Sequence, residues 1–211
     1  MRPLSAATDD IVASIDAQNY ARTHVAYNSR AGTFYGAAWL SALLPYEPGQ
    51  ADWKFKQLKG IYADKLSATD SQRLTQKGGS FYEAIVKGRD MTGAAIGGDG
   101  VFLDLTQLSD WSVARIQEGI IGMLTSSPKT AFTDQDAGNK IWGVLKNVID
   151  QGIQNEAIDD DPETYNVYVP KRAELSPADR AARRWTGNSL SFRPTGAVHS
   201  VDTIYVYLNV A

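Results

Sequence analysis

The sequence predicts an α+β fold: a mixed or antiparallel sheet packed by two long helices, with an extended C-terminal strand. Three observations predict it. Stretches at about 108–124 and 134–154 repeat apolar residues at three- and four-residue spacing: Val113, Ile116, Ile120 and Leu124 in the first, Ile141, Val144, Leu145, Val148 and Ile149 in the second. Strand-like runs are interspersed with helices without a regular strand–helix–strand rhythm, which disfavours a doubly wound sheet. Finally, 201–211 alternates Ile204, Val206, Leu208 and Val210 with Thr203, Tyr205, Tyr207 and Asn209, as a strand does.

Each element has a local reason. Thr8, Asp9 and Asp10 lead into Ile11, Val12, Ile15 and Ala17, a short helix with an N-cap and acids at the positive end of its dipole. A strand is predicted at 22–27, then a buried, alanine- and leucine-rich helix at 35–44 stopped by Pro45. Trp53, Phe55 and Leu58 among Lys54, Gln57 and Lys59 predict a half-exposed strand, and 68–76 a short helix closed by Gly78 and Gly79. Runs at 81–86 and 90–95 flank Lys87-Gly88 and predict a hairpin. Gly97, Gly98 and Gly100 punctuate the chain before a strand at 101–105 and the two long helices. Asp159, Asp160 and Asp161 form an acidic loop, 167–170 a short strand, and Ser176-Pro177-Ala178-Asp179 opens a basic helix with a serine cap and proline in the first turn. A segment at 189–193 and the terminal strand complete the set.

With 211 residues, 43% of them hydrophobic, the chain can bury a sizeable core. A net charge of −3 argues against general binding to nucleic acid or membrane surfaces. The sequence has no cysteine, which excludes disulfides, thiolate catalysis and cysteine-ligated metals. No apolar run approaches the roughly 20 residues that cross a bilayer, and the N-terminal stretch lacks the apolar core of a signal peptide.

Catalytic apparatus is not visible, and no catalytic, cofactor-binding or metal-ligating residue is predicted. The glycines at 93–100 lack the Gly-Lys-Ser/Thr end of a phosphate loop and read as a turn. Asp104 and Asp110 are close enough in sequence for acid–base work, but Asp104 is expected to follow a strand and Asp110 to cap the helix containing Trp111. Asp159, Asp160, Asp161 and Glu163 lack the alternating ligands and central glycine of a calcium loop. His24 and His199 have no nearby second ligand and are expected in strands. No serine sits in a Gly-x-Ser-x-Gly context.

Two contact surfaces remain. Arg180, Arg183 and Arg184, following Lys171 and Arg172, form a basic patch suited to an acidic protein surface; Asp160 and Asp161, within the acidic segment 156–163, offer a complement in the same chain or the next copy. The terminal strand, through Ile204, Tyr205, Val206, Tyr207, Leu208 and Val210, needs partners on at least one edge, inside its own domain or in another subunit's sheet.

Collinear short motifs carry a resemblance over nearly the whole chain, from about Tyr20 onward. They are Asp52-Trp53-Lys54-Phe55-Lys56-Gln57-Leu58-Lys59-Gly60-Ile61, Phe81-Tyr82-Glu83-Ala84-Ile85, Gly98-Asp99-Gly100-Val101-Phe102-Leu103-Asp104, Asp110-Trp111 and Arg115-Ile116-Gln117. Lys129-Thr130-Ala131-Phe132-Thr133-Asp134, Ala178-Asp179-Arg180-Ala181-Ala182-Arg183-Arg184 and Thr195-Gly196-Ala197-Val198-His199 continue them in order. Together they resemble the sheath proteins of contractile bacteriophage tails. The resemblance implies a non-enzymatic virion subunit, assembled in the bacterial host cytoplasm as stacked six-fold rings around a tail tube, which contracts to drive the tube through the host envelope. It implies self-association and a tail tube protein as partners, without nucleic acid, membrane insertion or cofactor. Residues 1–211 would form one sheath-like domain, the C-terminal portion of a usually longer protein, and 201–211 an arm completing a neighbour's sheet. Two other classes stay open: a small hydrolase using Asp104 and Asp110, and a nucleic-acid-binding module built on the basic helix.

Overall fold

The computed structural model describes residues 10–86 and 88–201. Asp10 caps helix α1 (Ile11–Asp16) by accepting the Ala13 N–H at 2.9 Å, and its buried carboxylate pairs with Lys77. Strand β1 (Val25–Tyr27) is shorter than predicted, and His24 lies just ahead of it rather than within it. Helix α2 (Tyr35–Leu43) matches its prediction and buries Tyr35, Trp39 and Leu43, one per turn on a single face. Helix α3 (Ala68–Gln76), capped by Ser67, leads into β2 (Gly79–Val86) and β3 (Arg89–Thr92), the predicted hairpin.

These strands form a mixed sheet of order β1-β2-β3. β1 runs parallel to β2 with Val25 opposite Gly79 and Tyr27 opposite Phe81; β3 is antiparallel to β2, from Tyr82 opposite Thr92 to Val86 opposite Arg89. Its core is aromatic. Trp39 stacks on Tyr35 at 5.4 Å, meets Trp53 edge-on at 5.6 Å, and donates its indole N–H to the Trp53 carbonyl at 3.0 Å. Tyr82, Leu58 and Ala95 complete the cluster.

The strand predicted around residues 53–59 is not formed. Phe55 adopts a left-handed backbone (φ 60°), which breaks the two-residue alternation, and the segment is instead clipped to the end of β3 by Phe55 N–H to the Thr92 carbonyl and Thr92 N–H to the Lys56 carbonyl, both 3.0 Å. The strand predicted at 101–105 is also replaced. The glycine turn closes with Gly97 N–H to the Val101 carbonyl at 2.8 Å, Phe102 makes one bridge to Ile96, and the helix starts at once.

That helix is α4 (Leu103–Thr125), longer at its start than predicted, with Asp104 in its first turn where the dipole suits an acid. Asp110 therefore lies inside the helix and does not cap it. A π-helical turn (Asp134–Gly138), capped by Thr133, runs into α5 (Asn139–Gln154), so helical structure begins at the predicted 134. After a 3-10 turn (Pro162–Thr164) come β4 (Tyr165–Tyr168), the short helix α6 (Pro177–Ala181) and β5 (Ser189–Phe192). β5 pairs antiparallel with β4, from Tyr165 opposite Phe192 to Tyr168 opposite Ser189. The long helices pack on each other and α5 on β4, around Leu108, Ile149, Ala157 and Ile158. The fold is α+β, with a mixed sheet in one core cluster and an antiparallel pair in the other.

The two clusters are tied together. At Gly49 (φ +90°) the chain passes so near Asn155 and Ala157 that a Cβ would lie 2.3 Å from the Asn155 carbonyl oxygen. After β5, Thr195 N–H bonds the Ala157 carbonyl at 3.0 Å and the chain returns to the first cluster. There His199 Nε2 lies 3.2 Å from Asp52 Oδ1, its ring meets Phe102 edge-on at 4.8 Å, and Lys54 Nζ donates to its carbonyl at 2.8 Å. His199 is thus in an irregular strap, not a strand. The predicted terminal strand and its contact residues Ile204, Tyr205, Val206, Tyr207, Leu208 and Val210 lie outside the described residues.

Candidate interaction surface

The basic segment is shaped by the way α6 ends. Ser176 Oγ accepts the Asp179 N–H at 3.0 Å and donates to Asp179 Oδ2 at 2.7 Å, fixing the start. At the other end Arg183 takes the left-handed conformation (φ 53°). Arg183 N–H reaches the Arg180 carbonyl at 3.2 Å and Arg184 N–H the Asp179 carbonyl at 2.8 Å, the paired bonds of a Schellman stop. Glycine normally fills that position; a side chain there costs about 1–2 kcal/mol.

The stop sends the three arginines to different tasks. Arg180 donates to the carbonyls of Ala173 and Leu175 at 3.2 and 2.8 Å and is a structural brace. Arg184 grips Asp179 Oδ1 through Nε at 2.8 Å and Nη2 at 2.6 Å; the Ser176 hydroxyl and then this guanidinium hold the Asp179 carboxyl below its ordinary range. Arg183 is exposed and makes no ion pair among the described residues. The acids proposed as its complement stand elsewhere. Asp160 is exposed, Asp161 accepts the Glu163 N–H at 3.0 Å, and the loop's ion pair is Asp159 with Arg193 at 2.7 Å.

Beneath Arg183 and Arg184 lies a groove of about 470 Å³, walled by Ile120, Met123, Leu124, Phe132, Ile141 and Trp185. The Trp185 ring sits edge-on to Phe132 at 5.1 Å, and the π-helical turn makes room for it at Gly138, where a Cβ would come within 3.3 Å of the indole. Trp185 Nε1 and Thr130 Oγ1 are buried without a hydrogen-bond partner among the described residues. The continuation of the α4 apolar spacing to Leu124, with Phe132 following, was the available sequence signal for this groove.

A second groove, of about 320 Å³, runs between α4 and β5 and is lined by Leu105, Leu108, Val113, Ile116, Leu190 and Phe192. Among the described residues β5 pairs with β4 alone, and its other edge has no strand partner among them.

The two carboxylates weighed for hydrolysis are not brought together. Asp104 and Asp110 project from different faces of α4. Arg22 holds Asp110, Nη2 to Oδ1 at 2.7 Å, and this hydrogen bond keeps Asp110 below the ordinary carboxylate range. Asp104 instead borders a small cavity of about 50 Å³ that Asp52 also lines; burial, reinforced by the Asp52 charge, pushes its carboxyl up. Among the described residues no three His, Asp or Glu side chains converge as metal ligands, and no helix is long and apolar enough to cross a membrane.

No family model and no curated protein matches the sequence. The fold nonetheless has likenesses among solved structures. It matches a chain of the anti-feeding prophage (AFP) baseplate, determined by cryo-EM with 6-fold symmetry, with TM-score 0.64 and 12% identity over 81% of this chain and 48% of that one. It also matches a chain of the AFP helical sheath in the contracted state, with TM-score 0.57 and 12% identity over 75% and 45% of the two chains. The chain thus spans about half the length of either neighbour, and at this identity the likeness is one of fold.

Proposed function

We propose that this chain is a structural subunit of a contractile phage-type tail sheath, assembling as stacked rings around a tail tube and contracting to drive it through the host envelope. The observation that carries the reading is the backbone likeness to a helical sheath, in agreement with the order of the sequence motifs. The subunit would act through copies of itself and a tail tube protein, without nucleic acid, membrane insertion or chemistry of its own. It would be assembled in the host cytoplasm and reside in the virion.

In this reading residues 1–211 form one sheath-like unit and 201–211 an arm. Ile204, Tyr205, Val206, Tyr207, Leu208 and Val210 add a strand to a neighbour, for which the edge of β5 away from β4 and the apolar groove beside it are suitable receivers. Shared main-chain hydrogen bonds would keep subunits linked while rigid bodies reorient. Arg183 and Arg184, which follow the helix that Arg180 braces, would meet Asp160 and Asp161 of the next copy; the side chains of Arg183 and Asp160 make no ion pair within the described chain.

Negative-stain electron microscopy of the purified chain at rising concentration and salt, beside a version ending at Ser200, tests this. Rings or tubes lost on truncation are expected. Dispersed particles from both versions at every condition would remove the assembly claim for this chain.

A further inference from the structure

The groove beneath Arg183 and Arg184 has the composition of a receptor rather than of a packing defect. Its floor and walls are largely apolar, with Thr130 and Asn188 the uncharged polar residues, and are drawn from α4, α5 and the segment leading into it, and the stretch after α6. Its volume of about 470 Å³ falls in the range of ligand-binding clefts. Apolar surface continues out of its mouth onto Leu124, which is 57% exposed, and the adjacent Ile121, 62% exposed. Among the described residues no carboxylate lines it, the two arginines are its charged groups, and Asp179 neutralises just one of them. A cation held by a rigid helix stop over an apolar cleft selects for an anion attached to an apolar body.

We propose that this groove binds a peptide segment of another protein chain in which a large aliphatic or aromatic side chain adjoins a carboxylate. The apolar side chain enters between Met123, Leu124, Phe132 and Trp185, and the carboxylate meets Arg183. A peptide is favoured over a small amphiphile because the apolar surface runs beyond the cleft onto exposed helix. It is favoured over nucleic acid because the wall offers Ile, Leu and Met rather than a row of stacking platforms. The proposal goes beyond the sheath reading and requires no ring or tube.

The test is fluorescence anisotropy with the full chain and labelled peptides Gly-Asp-Leu-Phe-Asp-Gly and Gly-Asn-Leu-Phe-Asn-Gly, which reports binding whether the chain is dispersed or assembled. The acidic peptide is expected to saturate, at least about fivefold more tightly than its amide twin, and to weaken with salt. Arg183→Gln should erase the difference between the peptides, and Leu124→Glu should abolish binding, with both variants retaining the parent circular dichroism and melting profile. Equal binding of the two peptides, no saturation by either, or no effect of either substitution overturns the proposal. Complete displacement of the peptide by octanoate at equal concentration would reassign the groove to a small amphiphile, and displacement by a short single-stranded DNA to nucleic acid.

Discussion

Asp10 satisfies two partners at once, the Ala13 N–H that starts α1 and the Lys77 ammonium from the far end of α3. Burial alone would raise its pKa, but the backbone and lysine bonds outweigh it and hold the carboxyl below the ordinary value. Such a group stabilises the fold above the unfolded pKa, near 3.9, and loses that contribution as pH falls through the lower folded value. Asp10→Ala is expected to cost about 1–3 kcal/mol in urea unfolding at pH 7, through the lost cap and lysine bond, and the gap to the parent should narrow as pH falls below 4. Asp104 has the opposite sign. Its raised pKa means that the folded state disfavours the charge, so Asp104→Asn should raise the melting temperature at pH 7 and converge with the parent in acid. His24 is held low mainly by burial, against the pull of the Ile96 main chain and Asp99. Its contribution is present above pH 6.5 and lost as pH falls below it, a slope that His24→Gln should flatten. A capped start to α1 was legible because capping is local, although the run Thr8-Asp9-Asp10 did not single out Asp10 as the cap. Its lysine, and the Asp52 beside His199, were not, because only the folded chain brings those residues together.

Elements governed by local rules read correctly: α2 from its apolar run and Pro45, α3 from the glycines that close it, α6 from Ser176-Pro177. The strands predicted around 53–59 and at 101–105 failed because distant partners decide them. Thr92 captures a kinked Phe55, and Ile96 pairs with Phe102 once before α4 begins. The helix stop at Arg183 lies between these cases, since no glycine announces it. Arg183→Gly should leave stability unchanged or raise it by up to about 1 kcal/mol by relieving the left-handed backbone, while removing the cation above the groove. A thermal melt paired with the peptide titration separates the two effects. Gly49 is the reverse case: Gly49→Ala combines a positive φ with main-chain atoms at 2.3–2.7 Å, and a loss above about 3 kcal/mol is expected by urea unfolding.

For the whole molecule, the α+β class and the presence of two long helices were legible from periodicity, and the motif order pointed to the sheath proteins whose fold the backbone resembles. The division of the interior into an aromatic cluster around Trp39 and an aliphatic one around Ile149 was not, because composition does not say which apolar residues meet. Nor was the groove, whose walls come from three separated segments. The strap through His199 carries a mechanical consequence. A pull applied at Val201 reaches the anchor on Asp52, Lys54 and Phe102 before it reaches β5. The four-residue ladder between β4 and β5 is therefore shielded from peeling until that anchor yields, and the anchor delivers the tension to the tryptophan-rich cluster instead. In a pulling experiment the parent chain would release the strap first and the ladder second, whereas His199→Ala, which removes the Asp52 and Phe102 contacts but keeps the Lys54 bond to the main chain, would release the strap at lower force.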